Sequence, residues 1–149
     1  MAPRYVAVCG ASQAGTGELA AAREVGRLLA EAGAVVISGG LDRGVMAAAS
    51  QAAAEAGGTV VGVLPGEDRT AANQYVTVAL ATGLGEARNA VIVTAADSVI
   101  AIGGGWGTLS EIAFARRLGR PVIGLETWDL KGLETVSSAA EAVRRALGA

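Results

Sequence analysis

Short apolar segments alternate along the chain with longer stretches that have helical periodicity. The apolar segments are continuous, which is typical of strands buried on both faces of a sheet. We predict strands over residues 5–9, 35–37, 59–64, 75–80, 98–102 and 121–125. We predict helices over residues 18–32, 45–56, 85–94, 108–118 and 138–147, and a loop over 67–74. Helices between successive strands imply βαβ units. The sequence therefore predicts a single α/β domain over residues 1–149, with a Rossmann-like, doubly wound, mainly parallel sheet covered by helices on both faces.

The composition excludes several classes of function. The chain has no histidine, one cysteine (Cys9) and one lysine (Lys131), and its formal net charge is −2. Without histidine the chain lacks the commonest general base, the usual zinc ligand and any Ser-His-Asp triad, so no metal site is predicted. No basic run suggests nucleic acid as a partner. A lone cysteine, and apolar segments well short of the ~18 residues that span a membrane, predict a cytoplasmic protein without membrane contact.

Most of the predicted strands end in glycine or another small residue. The carboxyl ends of parallel strands lie at one edge of a sheet, where ligands bind at the point at which the strand order reverses. Glycines let the backbone approach a phosphate, and free N–H groups at a helix start favour an anion. We therefore predict one site for a phosphate-bearing, nucleotide-like ligand at this edge. The loops are Gly10-Ala11-Ser12, Ser38-Gly39-Gly40, Pro65-Gly66 and Gly103-Gly104-Gly105-Trp106-Gly107.

The first of these loops is close to two known phosphate-binding motifs but has neither. Gly10 and Gly15 have the glycine spacing of a P-loop, but Thr16 occupies the position of its lysine. No G-x-G-x-x-G follows the first strand, and the second strand ends in Ser38 instead of the acid that would hold a ribose hydroxyl. These differences disfavour both ATP hydrolysis by the P-loop route and an ordinary nicotinamide enzyme. A tight turn that only leads into a helix is the other reading of this loop.

The last glycine loop leads into a possible helix cap. Thr108 and Glu111 have the T-x-x-E spacing of a capping box, in which both side chains bind backbone N–H groups. Ser138 and Glu141 have the same spacing without a glycine loop, so we predict that this second pair only caps a helix. For Glu111 two readings remain open. It either caps the helix, or it acts in catalysis or binds a ligand hydroxyl.

From Val6 to about Leu125 the chain resembles the superfamily that contains the Lonely Guy phosphoribohydrolases and the molybdenum cofactor carrier proteins. The run that ends at Glu111 has the Lonely Guy pattern P-G-G-x-G-T-x-x-E at every position except the first, which is Gly103. The other shared segments are Cys9-Gly10-Ala11-Ser12, Ser38-Gly39-Gly40, Gly44-Val45-Met46, Ala56-Gly57-Gly58, Val61-Gly62-Val63-Leu64-Pro65 and Arg88.

The resemblance implies two roles for the same pocket. In the hydrolases the glutamate of this run and an arginine about twenty residues before it cleave the N-glycosidic bond of a nucleoside monophosphate, and the matching residues here are Glu111 and Arg88. A surface ion pair is the other reading of Arg88. Gly103 replaces the motif's proline and Asn89 replaces a lysine, and both changes favour the carrier-like branch, which binds an intact pterin–phosphate cofactor. The label "possible lysine decarboxylase", common in this superfamily, does not suit the chain because Lys131 lies outside the glycine loops.

We therefore expect a binding protein for a phosphate-containing cofactor, with a carrier or storage role for the molybdenum cofactor. A nucleoside 5′-monophosphate phosphoribohydrolase and a sensor of a nucleotide signal are the alternatives. The ligand is expected to be the molybdenum cofactor or an AMP-like nucleotide, and no cofactor is required for catalysis. The predicted ligand-binding residues are Gly10, Ala11, Ser12, Ser38, Gly39, Gly40, Pro65, Arg88, Asn89, Gly103, Gly104, Gly105, Trp106, Gly107, Thr108 and Glu111, of which Arg88 and Glu111 would be catalytic in an enzyme.

The same sequence predicts a homo-oligomer, either a dimer or a tetramer. The helical stretches 86–96 and 112–118 carry more apolar positions than one buried stripe needs. The resembling superfamily also assembles through helices in this region.

Overall fold

In the computed structural model, which describes residues 2–148, seven strands form one parallel sheet with helices on both faces. The strands are β1 (Tyr5–Gly10), β2 (Val35–Ser38), β3 (Val60–Leu64), β4 (Val78–Ala81), β5 (Ser98–Ile102), β6 (Val122–Leu125) and β7 (Glu134–Val136). The helices are α1 (Thr16–Glu31), α2 (Gly44–Glu55), α3 (Arg88–Ala95), α4 (Trp106–Arg117) and α5 (Ala139–Ala146), with short 3₁₀ turns at Arg69–Ala71 and Gly85–Ala87. The predicted Rossmann-like α/β fold is confirmed.

The strand order is β4-β3-β2-β1-β5-β6-β7, so the direction of winding reverses between β1 and β5. These two strands pair in parallel, from Val6 opposite Ser98 to Gly10 opposite Ile102. Their carboxyl ends therefore lie side by side, and the glycine loops that follow them begin next to each other. This is the switch point at which open α/β sheets bind ligands.

The alternating side chains of β1 divide the core into two layers. Val6 and Val8 belong to a buried cluster with residues of α1, α2 and α5. Ala7 and Cys9 point to the other face, into a cluster that includes Ile92 of α3 and residues of α4. The sheet thus has α1, α2 and α5 on one face and α3 and α4 on the other, and Cys9 lies under α3 and α4.

Small residues bring α2 close to the end of β1. Gly26 of α1 packs so tightly on α2 that an added Cβ would overlap the Ala49 carbonyl. At the start of α2, Gly44 has a φ of +45° and no room for a Cβ beside the Ala11 carbonyl, which accepts a hydrogen bond from the Val45 N–H at 3.0 Å. The loop after β1 is therefore tied to the start of α2.

The structure differs from the sequence-based predictions at the sheet edges. Strand β7 (Glu134–Val136) was not predicted, because it is three residues long, two of them polar, and pairs only with β6. The strand predicted over 75–80 begins only at Val78. The Asn73 side chain accepts a hydrogen bond from the Tyr75 N–H at 3.0 Å, and the resulting turn keeps the preceding residues out of the ladder. Among the described residues no helix is both long and apolar enough to cross a membrane.

Candidate functional site

A cleft with a volume of about 480 Å³ opens at the carboxyl edge of the sheet, where β1 and β5 meet. The loop after β1 forms one wall and the glycine loop after β5, with the first turn of α4, forms the other. Side chains from the start of α3 close the third side. Its lining residues are Val8, Cys9, Gly10, Ala11, Ser12, Gln13, Glu18, Gly39, Met46, Glu86, Arg88, Asn89, Ile92, Gly104, Gly105, Trp106, Gly107, Thr108 and Glu111.

The loop between β5 and α4 directs a helix N-terminus at this cleft. Gly103 and Gly104 have φ values of +58° and +116°, a region that residues with a side chain rarely adopt. Gly105 is the N-cap of α4 and provides no side chain to bind the first N–H groups of the helix, which have no partner within it. Such a helix end favours an anion.

Residues 127 and 128 hold the same loop from outside the cleft. The Thr127 hydroxyl donates a hydrogen bond to the Gly103 carbonyl at 2.5 Å, and the Trp128 indole N–H donates to the Gly105 carbonyl at 3.2 Å. The Trp128 ring also packs on Trp106, with ring centroids 5.5 Å apart. The carbonyls of Gly103 and Gly105 are thus bonded on the outer side, and the Gly103 N–H donates to the Leu125 carbonyl at 3.3 Å.

The capping-box reading of Thr108 and Glu111 is wrong. Helix α4 begins at Trp106, two residues earlier than predicted, because the extended Gly105 serves as the N-cap. Thr108 is therefore the third residue of the helix and Glu111 the sixth, and the Glu111 side chain points into the cleft wall. Ser138, in contrast, caps α5 as predicted: its hydroxyl accepts a hydrogen bond from the Glu141 N–H at 3.2 Å.

Arg88 is the buried cation of the cleft. Its side chain enters at the first residue of α3 and is only 4% exposed. The Nε–H donates to the Val63 carbonyl at 2.9 Å, and Nη1 lies 3.4 Å from Glu86 Oε1. Nη2 packs against Gly39, where an added Cβ would lie 2.9 Å from it. Arg88 is thus a component of the cleft, and its partner Glu86 is itself a lining residue that is largely open to solvent.

Glu111 lies at the floor of the cleft beside the chain's cysteine. It is 8% exposed, and its Oε2 accepts a hydrogen bond from the Cys9 thiol at 3.0 Å. Burial raises the pKa of Glu111 to about 7 from its ordinary 4.5, although the thiol hydrogen bond and the charge of Arg88 both act to lower it. Near neutral pH this carboxyl can either hold or release a proton.

We predict that Glu111 makes the stability of the fold depend on pH. The folded chain keeps a proton on this group between pH 4.5 and about 7, where the unfolded chain has lost it. The stabilisation is complete below pH 4.5 and is lost as the pH rises through 7. The free energy of unfolding should therefore fall across this window, by at most about 3 kcal/mol. Urea denaturation of the wild type and of Glu111→Gln at several pH values in this range measures the free energy of unfolding. The same dependence of that free energy on pH in the two proteins would contradict the prediction.

Asn89 and Ser110 connect α3 to the glycine loop. The Asn89 Nδ2 donates to the Ser110 hydroxyl at 3.1 Å, and that hydroxyl donates to the Gly107 carbonyl at 2.6 Å. This chain of bonds fixes the first turn of α4 relative to the start of α3. Arg88 and the helix N-terminus are thereby held on opposite sides of one cleft.

The structure brings twelve of the sixteen predicted ligand-binding residues into the cleft lining; Ser38, Gly40, Pro65 and Gly103 lie behind it. Ser38 accepts the Gly40 N–H at 3.1 Å and so shapes the turn after β2. The Pro65 carbonyl accepts the Gly85 N–H at 2.9 Å, which positions the segment leading to Arg88. These residues support the lining, and ligand binding by the other twelve stays a prediction.

Seven lining residues were not predicted from the sequence: Val8, Cys9, Gln13, Glu18, Met46, Glu86 and Ile92. Cys9 could have been found from its position, because it ends an apolar strand directly before the first glycine loop. Glu18 lies in the first turn of α1, where acidic residues are common for the sake of the helix dipole alone. Only the packing of α1 against the β5 loop shows that its side chain enters the cleft.

Several large apolar side chains remain exposed on and around α3 and α4. They are Val91 (38%), Phe114 (44%), Leu118 (47%), Leu84 (51%) and Trp106 (79%). Phe114 lies on α4 and Leu118, its C-cap residue, is one turn further on, so the two lie on one face. The homo-oligomer stays a prediction, and this surface is the one that it would cover.

Residues 3–147 match the SLOG cluster4 family. A protein of Archaeoglobus fulgidus is 41% identical over 121 residues, which cover 81% of this chain and 79% of that protein. The fold is similar to that of the molybdenum cofactor binding protein of the phototrophic bacterium Rippkaea orientalis, with a TM-score of 0.92 at 36% identity over 97% and 96% of the two chains. It is also similar to the Moco carrier protein of Chlamydomonas reinhardtii, with a TM-score of 0.88 at 32% identity over 98% of each chain.

Proposed function

The chain belongs to the SLOG cluster4 family, and from this premise we propose that it binds a phosphate-containing, nucleotide-like cofactor and serves as a carrier or storage protein for the molybdenum cofactor. One observation carries the proposal: the uncapped N-terminus of α4 and the buried Arg88 face the same cleft at the switch point between β1 and β5. The relatives of similar fold that are described as molybdenum cofactor binding and carrier proteins support it.

In this proposal the phosphate lies against the N–H groups of the first turn of α4, opposite Gly10, Ala11 and Ser12. The glycines allow close approach, and the helix N-terminus supplies partial positive charge. Arg88 adds a fixed guanidinium that binds oxygen atoms through paired N–H groups. Glu111 accepts a hydrogen bond from the ligand, as it does from Cys9.

Hydrolysis of a nucleoside 5′-monophosphate is the second function that an observation favours. A carboxyl with a pKa near the operating pH is suited to general acid–base work, and the pKa of Glu111 is about 7. Arg88 lies near enough for its charge to act on Glu111, and the two residues match the pair to which the resemblance assigns catalysis. We rank this function lower because Gly103 and Asn89 depart from the hydrolase pattern, and Asn89 is occupied in bonding Ser110.

The test begins with the small molecules that remain bound to the purified protein. We expect mass spectrometry and elemental analysis of the denatured sample to find a pterin phosphate together with molybdenum. The same preparation should release no free base from a panel of 5′-monophosphates. Base release by the wild type that disappears in Glu111→Gln would instead identify a hydrolase, since Glu111 would then act in the transition state.

A further inference from the structure

The cleft is lined by more carboxyl groups than cations. Three carboxyls, those of Glu18, Glu86 and Glu111, line the cleft together with a single guanidinium, that of Arg88. Among the described residues no group of three or more acidic or cysteine side chains is placed to hold a metal ion. A ligand that fits must therefore present hydrogen-bond donors as well as a phosphate.

Glu18 is the carboxyl whose partner is missing. Glu111 bonds the Cys9 thiol and Glu86 pairs with Arg88. The Oε2 atom of Glu18 is shielded from solvent and has no hydrogen-bond partner in the fold. An unpaired buried carboxylate oxygen is costly, and such groups in native proteins call for a partner that binds in function.

The backbone around Glu18 leaves room for this side chain. The carboxylate lies against the Cα of Gly103, where any Cβ would overlap both Oε2 and the carboxyl carbon. On its other side is Gly15, where an added Cβ would lie 4.0 Å from Oε1. Gly103 is also the one position at which the run from Gly103 to Glu111 differs from the hydrolase pattern, which has proline there. The glycine leaves the space that the Glu18 carboxylate occupies.

The surroundings favour a flat ring over a sugar as the donor. Gly15 and Gly103 border the carboxylate with backbone alone, and the Trp106 ring lies on the same loop, 79% exposed and packed on Trp128. Rossmann-like proteins that bind ribose use an acid at the end of the second strand, where this chain has Ser38. A carboxylate pairs best with two adjacent N–H donors in one plane.

We propose that Glu18 binds the amino group and adjacent ring N–H of a 2-amino-4-oxopyrimidine, the ring edge that pterins and guanine share. This inference rests on the proposed function and identifies the residue that recognises the ring of the ligand. Oε2 faces Gly103 in the structure, so binding requires the carboxylate to turn about its soft terminal torsion before both oxygens meet the ligand. Adenine presents an acceptor at the corresponding ring position, so Glu18 selects against AMP-like ligands.

The experiment compares GMP, IMP and AMP, which share the ribose phosphate and differ only in the base, with neopterin monophosphate as the pterin arm. In calorimetric titration of the wild type, the affinity should decrease in the order GMP, IMP, AMP. Neopterin monophosphate should bind at least as tightly as GMP. Glu18→Gln should lower the affinity for GMP and for neopterin monophosphate by about 10- to 100-fold. It should leave the affinity for AMP unchanged or raise it, because an amide offers both a donor and an acceptor to the adenine edge.

Glu24→Gln is the matched control, since Glu24 lies on the outer surface of α1 and pairs only with Arg27 there. It should change no affinity, and urea denaturation should show both variants folded. Equal binding of the three nucleotides, or equal weakening of all of them by Glu18→Gln, would overturn this inference and leave the proposed function standing. Failure of every monophosphate and of inorganic phosphate to bind would overturn both.

Discussion

Replacing Arg88 with alanine is expected to lower the affinity for GMP and for inorganic phosphate by about 100-fold or more. The guanidinium is the one cation among the lining residues, and Val63 and Gly39 hold it in place. Its loss leaves the carboxyls of the cleft without an opposing charge, so an anionic ligand is repelled. Calorimetric titration of the variant measures the effect.

Two further variants separate loss of charge from loss of structure. Arg88→Lys keeps a positive charge but cannot make paired N–H contacts, so its affinity should fall between those of the wild type and the alanine variant. Arg23→Ala removes an exposed arginine of α1 and should bind as the wild type does. If Arg88→Ala folded and bound phosphate normally, Arg88 would have only a structural role.

Replacing Gly104 with alanine is expected to destabilise the fold by roughly 2–4 kcal/mol and to abolish binding of phosphate. Gly104 has a φ of +116°, and an added Cβ would overlap Cβ of Thr108 and lie 2.5 Å from its Oγ1. Thr108 is buried in the first turn of α4, so the turn has to move. That movement displaces the N–H groups that are proposed to bind the phosphate.

Gly105→Ala provides the matched control in the same loop. Gly105 has a φ of −109°, and an added Cβ there has no neighbour within 4 Å. Its free energy of unfolding should fall by no more than about 1 kcal/mol, the cost of alanine at an N-cap, in urea denaturation. Normal phosphate binding by a stable Gly104→Ala variant would show that the anion does not lie at this helix end.

The sequence predicted the fold well because the evidence for it is local. A continuous apolar run that ends in glycine indicates a buried parallel strand, and five of the six predicted strands lie within two residues of those observed. The sixth, β4, begins three residues late, and β7 was missed. Both are edge strands, for which burial imposes little pattern on the sequence, so their limits depend on which neighbours they pair with.

The site was predicted in part for the same reason. Gly10 ends β1 and Gly104 follows the neighbouring strand β5, and the geometry of a parallel sheet alone brings the two loops together. Glu18 and Glu86 were missed because their place in the cleft depends on how α1 and the segment before α3 pack, which no local pattern reveals. The capping-box spacing at Glu111 was misleading, because a glycine with extended backbone began the helix two residues early.

Cys9, the only thiol of the chain, lies under α4 and donates its proton towards Glu111. Burial and the neighbouring carboxylate hold the pKa of this thiol well above its usual value. The thiolate is the form that reacts with alkylating reagents and that binds thiophilic metals. In the folded protein Cys9 is therefore a poor nucleophile and a poor metal ligand. Because the Cys9 side chain is only 2% exposed, the rate at which a reagent labels it measures how often the packing around it opens.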